Sequence, residues 1–367
     1  MNKYSKSGIT QMQYIFLIHG VQVGVGVLQI PRVVAEGAGT DGWISIILGW
    51  FLAMLFSLLM VKVMKRYPEG TILELFTHFF GKWIGKVVTI LFALYFAAIT
   101  FLTFIRSLLF LQSLVFPEIQ VYSLIILLSI PSYVIARNNI RILGRYSELI
   151  FFMTIWMITL FFLPLKENAH WLHFLPLFKE GLTPILLTVQ STVFSFVGFE
   201  VVLFLYPFLQ KKEAAVKGIL IANTLTMVAM LLITIGVFAI FSPDEITQFN
   251  TPAIEVLKLI EFRFLERIDL IFFAYYTLVM SASWIPLMFF TVFCTSQLLG
   301  KQDHRRHLLW FLIVICISVY VYPPTFPKND QFQKEIEKVF ITVDYILPLF
   351  LLVAIWIRGF FKRRTYQ

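Results

Sequence analysis

Apolar residues run along this chain in blocks too long and too continuous for the core of a water-soluble domain. Ten blocks of about bilayer length stand out, at 11–35, 42–64, 85–114, 119–137, 144–165, 184–209, 216–241, 267–298, 307–323 and 339–360. Charged and turn-forming residues gather between them. Blocks three and eight exceed what a bilayer needs, which predicts tilted helices. The pattern predicts an all-α polytopic membrane protein with ten transmembrane helices in one transmembrane domain.

Two connections carry helical patterns of their own. Glu69 to Gly81 (EGTILELFTHFFG) is amphipathic. Thr251 to Glu266 (TPAIEVLKLIEFRFLE) places Thr251 as an N-cap and Pro252 at the first helical position. Its apolar face is Ile254, Leu257, Leu259 and Ile260, and it reads either as a lid or as a surface helix resting on the bundle.

Blocks one and six are interrupted. VGVGVLQIPR, Val23 to Arg32, puts Gly24, Gly26 and Pro31 inside the first. VFSFVGFE, Val193 to Glu200, puts Ser195-Phe196-Val197-Gly198 inside the sixth. Glycine costs about 1 kcal/mol in a helix and proline about 3. Broken backbone at membrane depth is tolerated where protein buries it or it lines a cavity. The interruptions begin two halves, about 10–165 and 183–360. Five spans per half is an odd number, so the halves are expected to be inverted repeats. Paired breaks of this kind point to a transporter-type binding site. The second half-helices are expected to start near Val27 and Phe199, with their N-termini facing the midplane and suited to a carboxylate. Free carbonyls near Val23 and Phe194 suit an ammonium group or a small cation. Together they favour a small zwitterion. Close helix packing is the alternative use of the glycines.

Composition and charge narrow the classes. Hydrophobic residues make up 59 % and charged residues 14 %, against about 25 % charged in soluble domains. No soluble domain of useful size is left between the spans. With the N-terminus in the cytoplasm, twenty of the thirty Lys and Arg fall inside, nine outside, and Arg106 within a span. This places both termini in the cytoplasm and accounts for the net charge of +9 without nucleic acid. No small-residue cleavage site follows the first block, so it is expected to stay as a helix. Cys294 and Cys316 lie in spans and read as small buried hydrophobes. No nucleophile elbow, phosphate loop or zinc pattern occurs, and no enzyme activity, metal or cofactor is expected. Asp303 to His307 (DHRRH) reads as a positive cytoplasmic loop rather than a metal site.

Four ionisable residues stand at or near membrane depth. Glu200 either caps the second half of span six or gates by protonation. Arg106 either snorkels outward or forms an internal ion pair or outer gate. His19 is expected to be buried and hydrogen-bonded, with a proton relay as the alternative. Asp344 is expected at the interface, near the extracytoplasmic end of span ten.

The two interruptions carry a resemblance. VGVGVLQIPR is similar to the G-x-G-[IV]-L-x-x-P signature in the first span of the amino acid–polyamine–organocation transporters, and SFVGFE resembles their sixth-span signature F-x-G-[FY]-[ED]. More narrowly, the chain resembles the B subunit of GerA-type spore germinant receptors. That likeness spans essentially the whole chain and rests on its length, ten spans, Pro31-Arg32, YPEGT at Tyr67 to Thr71, and Glu266-Arg267-x-Asp269. It implies a LeuT-type 5+5 inverted repeat with discontinuous helices 1 and 6. It also implies a nutrient-recognition subunit in the spore inner membrane, working beside A and C subunits. By motif position the ligand would meet Gly24, Val25, Gly26, Phe196, Val197 and Gly198, flanked by Phe194 and Ser195. Span three would add Tyr95 and Ile99, and span eight Tyr276, Met280 and Ser283. Some proton-coupled relatives carry a lysine in span five, whereas YSELIFFMTIWMITLFF from Tyr146 has none. The expected function is therefore germinant sensing, in which a small amino acid binds at the break between helices 1 and 6 and the signal passes to partner subunits. The alternative is an amino acid carrier working by alternating access, with Na+ or H+ as its coupling ion. A ligand-opened water or ion path is a third class.

Overall fold

The computed structural model describes residues 4, 7–260, 267–301 and 303–364. Lys3, Lys6 and the end of the Thr251 to Glu266 segment, Glu266 included, lie outside the described residues.

The first span is broken. It comprises α1 (Gln11–Gln22), a 3-10 turn at Val25–Leu28 and α2 (Ile30–Ala38). Pro31 falls in the first turn of α2, where a missing N–H costs nothing because that donor has no intrahelical partner. The chain then turns at Gly39, whose φ of +53° favours glycine. It continues as α3 (Gly42–Met64). Gly42 lies so close to α2 that a Cβ there would sit 2.4 Å from the Val34 carbonyl oxygen. The amphipathic connection forms α4 (Ile72–Phe80), whose start is secured by Glu74 accepting from the Thr71 N–H at 3.0 Å. It packs on α5 (Lys82–Leu114). After α6 (Val121–Ala136), α7 (Ile140–Thr154) runs into a 3-10 helix at Ile155–Phe162, followed by α8 (Leu165–Asn168).

The second broken span comprises α9 (Leu182–Ser195), a 3-10 turn at Phe199–Val201, α10 (Val202–Leu205) and a 3-10 turn at Tyr206–Phe208, bent by 48° at the break. Next come α11 (Ala214–Ile240), α12 (Pro243–Gln248), α13 (Pro252–Lys258), α14 (Ile268–Leu298) and α15 (Arg305–Val321). The chain closes with α16 (Phe326–Ile341), a π-turn at Thr342–Ile346 and α17 (Leu347–Arg364).

Among the described residues, six helical runs are long and apolar enough to cross a membrane, or seven with the bent pair as one span. Ten were expected. The difference lies where helices are broken or short: α1 and α2 have 12 and 9 residues, α6 has 16 and α15 has 17. Span ten differs most. It was placed at 339–360, but its helix begins at Phe326, thirteen residues earlier.

Helix α1 sits at the centre, against α7, α11 and α14, and Tyr14, Leu17 and Ile18 are fully buried. The most extensive packing joins α5 to α14. Phe51, Leu94, Ile130, Leu187 and Trp310 point outward and exposed, as side chains that face lipid do. Ile9 pairs with the end of the second broken span: its N–H donates to Phe208 O at 2.9 Å, and its carbonyl accepts from Gln210 N at 3.1 Å. The start of span one therefore adjoins the end of span six, and the two run antiparallel. Helix α13 is inserted against α2, α11 and α14 with Ala253, Ile254, Val256 and Leu257 buried, so it does not rest on the surface. Thr251 makes no side-chain cap bond, and Leu259 is exposed rather than part of the apolar face.

Candidate functional site

Both breaks fall within a residue of their expected ends, α1 at Gln22 and α9 at Ser195. The second half of span one starts later than expected, at Ile30, because the 3-10 turn intervenes. A break leaves carbonyls without intrahelical donors, and in a membrane each needs a partner. Side chains of neighbouring helices supply them. Ser283 Oγ donates to Val21 O at 3.0 Å, and Tyr276 OH donates to Gly24 O at 2.8 Å. Gln22 Nε2 donates across to Phe196 O at 2.9 Å, tying the first break to the second.

Gln22 is the hub of a buried polar chain. Its Nε2 also donates to Asn223 Oδ1, and its Oε1 accepts from Thr226 Oγ1, each at 2.9 Å. Asn223 Nδ2 continues to Ser57 Oγ at 2.9 Å. His19 Nδ1 lies 2.9 Å from Thr226 Oγ1, so His19 is buried and hydrogen-bonded. Gly198 has a φ of +123°, and a Cβ on it would sit 2.9 Å from Val21 Cγ1 and 3.1 Å from Gln22 N. Close approach and backbone conformation both require glycine there.

The breaks open onto a cavity of about 430 Å³, within the usual range for small-ligand sites. Of the residues singled out from sequence, Gly24, Gly26, Ile99, Phe194, Ser195, Val197, Gly198 and Ser283 line it, with Glu200 and Arg106. Tyr95, Phe196, Tyr276 and Met280 are buried behind that wall, and Val25 begins the 3-10 turn. Gly24 adjoins Ser283, whereas a Cβ on Gly26 would meet nothing within 4 Å. Of the carbonyls near the two breaks, Phe194 O accepts from Val197 N at 3.1 Å, and those of Val21, Gly24 and Phe196 take the bonds above. Among the described residues, the carboxyl of Glu200 and the charged side chains of α16 add charge to the wall beside Arg106.

Arg106 does not snorkel. It is 8 % exposed and forms an ion pair with Asp330 of α16. A second nitrogen donates to Gln29 Oε1 at 2.9 Å. The guanidinium lies 5.7 Å from the ring centre of Phe110 and 5.4 Å from that of Phe326, distances at which cation–π attraction operates. The arrangement joins α5, the first break and α16 at one end of the cavity.

Glu200 is fully buried at the start of the second half of span six. It accepts from Gly198 N–H at 2.7 Å and from Tyr95 OH at 3.0 Å. Asp344 is not interfacial. It is fully buried in the π-turn, close enough to Glu200 for their charges to repel. The helix begins earlier than its apolar block, and this draws Asp344 inward.

Several cavity residues carry no signal in the hydropathy pattern. Asn329, Gln333, Lys334 and Glu337 of α16 line the wall from a stretch read as a loop. Asn223 and Thr226 had a weak signal, as polar residues three apart in an apolar span, and Gln22 stood next to the glycine pair.

The fold is that of the LeuT-type transporters. A sodium-coupled sialic acid symporter, solved in a substrate-bound outward-open state, superposes with a TM-score of 0.69 at 12 % identity, over 95 % of this chain and 81 % of that one. The family described as spore germination protein matches residues 8–329, and the chain belongs to that family. Its relatives include spore germination protein YndE of Bacillus subtilis (strain 168), 26 % identical over 95 % of this chain and 96 % of the relative. Spore germination protein GerQB of Bacillus cereus is 25 % identical over 72 % of each chain.

Proposed function

We propose that the chain is the membrane-embedded recognition subunit of a spore germinant receptor, and that it takes a small amino acid into the cavity between its two helix breaks. The observation that carries this reading is the meeting of two broken helices at one cavity in a chain of a spore germination family. Gly24, Gly26 and Gly198 offer the amino acid backbone without Cβ groups, between the side chains of Phe194 and Val197. Glu200 is the group suited to its ammonium, since the nearby carbonyls are engaged. Arg106 and Asp330 act as a gate at the α16 end. With both termini cytoplasmic, as the distribution of Lys and Arg favours, that gate faces the extracytoplasmic side of the spore inner membrane. The halves 10–165 and 183–360 act as inverted repeats, a reading supported by the antiparallel course of spans one and six.

The germinant shifts an equilibrium between two arrangements of the bundle, which requires that it bind one of them more tightly. The change passes to A and C subunits of the receptor. An amino acid carrier is the second reading, favoured by the likeness of fold to a sodium-coupled symporter. Spores lacking the gene, complemented with wild type or Gly26→Val, separate these readings across a panel of amino acids. The valine projects into open space and leaves the fold intact. The receptor reading expects one germinant to lose its effect, wild type to restore it, and the variant to be made but silent. Accumulation of labelled amino acid in vesicles, with germination unchanged, favours the carrier.

A further inference from the structure

Asp344 occupies the π-turn between α16 and α17, a helix irregularity that recurs at functional positions. It is fully buried, and among the described residues no donor reaches either of its carboxyl oxygens. The π-turn packs on the 3-10 turn that carries Glu200, with the rings of Phe199 and Tyr345 6.2 Å apart, and Glu200 is the charged group beside Asp344. Tyr95 of α5 and Tyr345 of the same turn stand around the pair, and the Tyr345 hydroxyl has no partner either. Among the described residues, no Lys, Arg or His forms an ion pair with Asp344 or Glu200.

The two carboxyls differ in their surroundings. Glu200 accepts from two donors, Tyr95 OH and Gly198 N–H, as an ionised carboxylate does. Asp344 accepts from none. Two adjacent buried carboxylates without a counter-charge cannot both stay ionised, and a neutral acid is far less costly to bury.

We propose that Asp344 and Glu200 form a proton-holding pair, in which Asp344 keeps one proton as a neutral acid and Glu200 carries the charge. Of the two, Glu200 borders the cavity and Asp344 stands behind it. A cationic group entering the cavity beside Glu200 offsets the repulsion that holds the proton. The proton then leaves an Asp344 oxygen for solvent, and the pair becomes two carboxylates facing one bound cation. Ligand and proton are thereby linked, each weakening the hold on the other. A metal ion fits less well. No group of three His, Cys, Asp or Glu able to hold a metal occurs among the described residues.

The test needs no germinant, so it stands or falls separately from the receptor reading. Infrared difference spectra of the purified full chain in lipid nanodiscs report protonated carboxyl groups directly. Wild type at neutral pH is expected to show the carbonyl band of a buried protonated acid, amounting to one group per chain. Asp344→Asn is expected to abolish it, while Glu337→Gln, a change on the cavity wall outside the pair, keeps it. Absence of the band in wild type overturns the proposal whether or not the variant folds, as does its persistence in Asp344→Asn. If the band is absent and NaCl or KCl, compared with choline chloride, raises the melting midpoint of wild type, the pair holds an alkali ion and the proton assignment falls.

Discussion

Gln22→Leu tests whether one side chain sets the two breaks against each other. Leucine keeps most of the volume and removes three hydrogen bonds: to Phe196 O, to Asn223 Oδ1 and from Thr226 Oγ1. A net intramolecular hydrogen bond contributes about 1 kcal/mol, and side-chain bonds between membrane helices average about 0.6. Three bonds therefore amount to about 2–3 kcal/mol, a change of roughly 30- to 150-fold in an equilibrium constant. The assay is denaturant unfolding of the purified protein, paired with the germinant dose–response of complemented spores. The midpoint is expected to fall and the half-effective germinant concentration to rise. Gln22 also lines the cavity, so direct ligand contact must be separated from positioning. Asn223→Leu, at a residue that does not itself line the cavity, does this. It is expected to produce a smaller loss in the same direction, and the double variant to lose less than the sum. Unchanged unfolding in Gln22→Leu, or strict additivity with Asn223→Leu, would refute the hub.

Three further outcomes follow from the geometry. Gly198→Ala is expected to destabilise the chain by roughly 1–3 kcal/mol, through its positive φ and the contact with Val21, and a thermal melt beside Gly26→Val, expected to melt as wild type, checks this. Arg106→Gln is expected to cost roughly 1–3 kcal/mol, because it removes the pair with half-exposed Asp330 and also the buried guanidinium's bond to Gln29 and its contacts with Phe110 and Phe326. It is also expected to speed labelling of a cysteine placed at Gly26 when Cys294 and Cys316 are replaced by alanine. The Ser242 N–H and hydroxyl hold the Glu245 carboxyl below its usual range. A lowered folded value stabilises above the unfolded value and is lost as pH falls through the folded one. The protection of α12 amides, corrected for the intrinsic pH dependence of exchange, is thus expected to fall on acidification, and Glu245→Gln to remove that dependence.

The helix breaks were legible because their cause is local. Two glycines around Val25 and the FVGF stretch weaken a helix locally, and the breaks fell within a residue of expectation at Gln22 and Ser195. The beginning of α16 was not legible. Hydropathy finds residues that face lipid, and FPKNDQFQKEIEK faces a water-accessible cavity. The partners of Arg106 and Glu200 were hidden for another reason: Asp330 lies 224 residues from Arg106, and pairings over such separations arise from packing. The π-turn that carries Asp344 has no sequence signal of its own, so its place behind the cavity emerges only in three dimensions.

The hub at Gln22 and the tight seat of Gly198 leave this cavity one rigid side and one permissive side. Around the breaks nearly every polar group is engaged, and a new side chain has nowhere to go. Opposite them α16 presents Gln333, Lys334 and Glu337, while Gly26 of the first break faces the open space between. A designer wishing to change what the protein detects would leave the breaks untouched and rewrite two turns of α16. Selectivity can then drift while the device that reports occupancy stays the same.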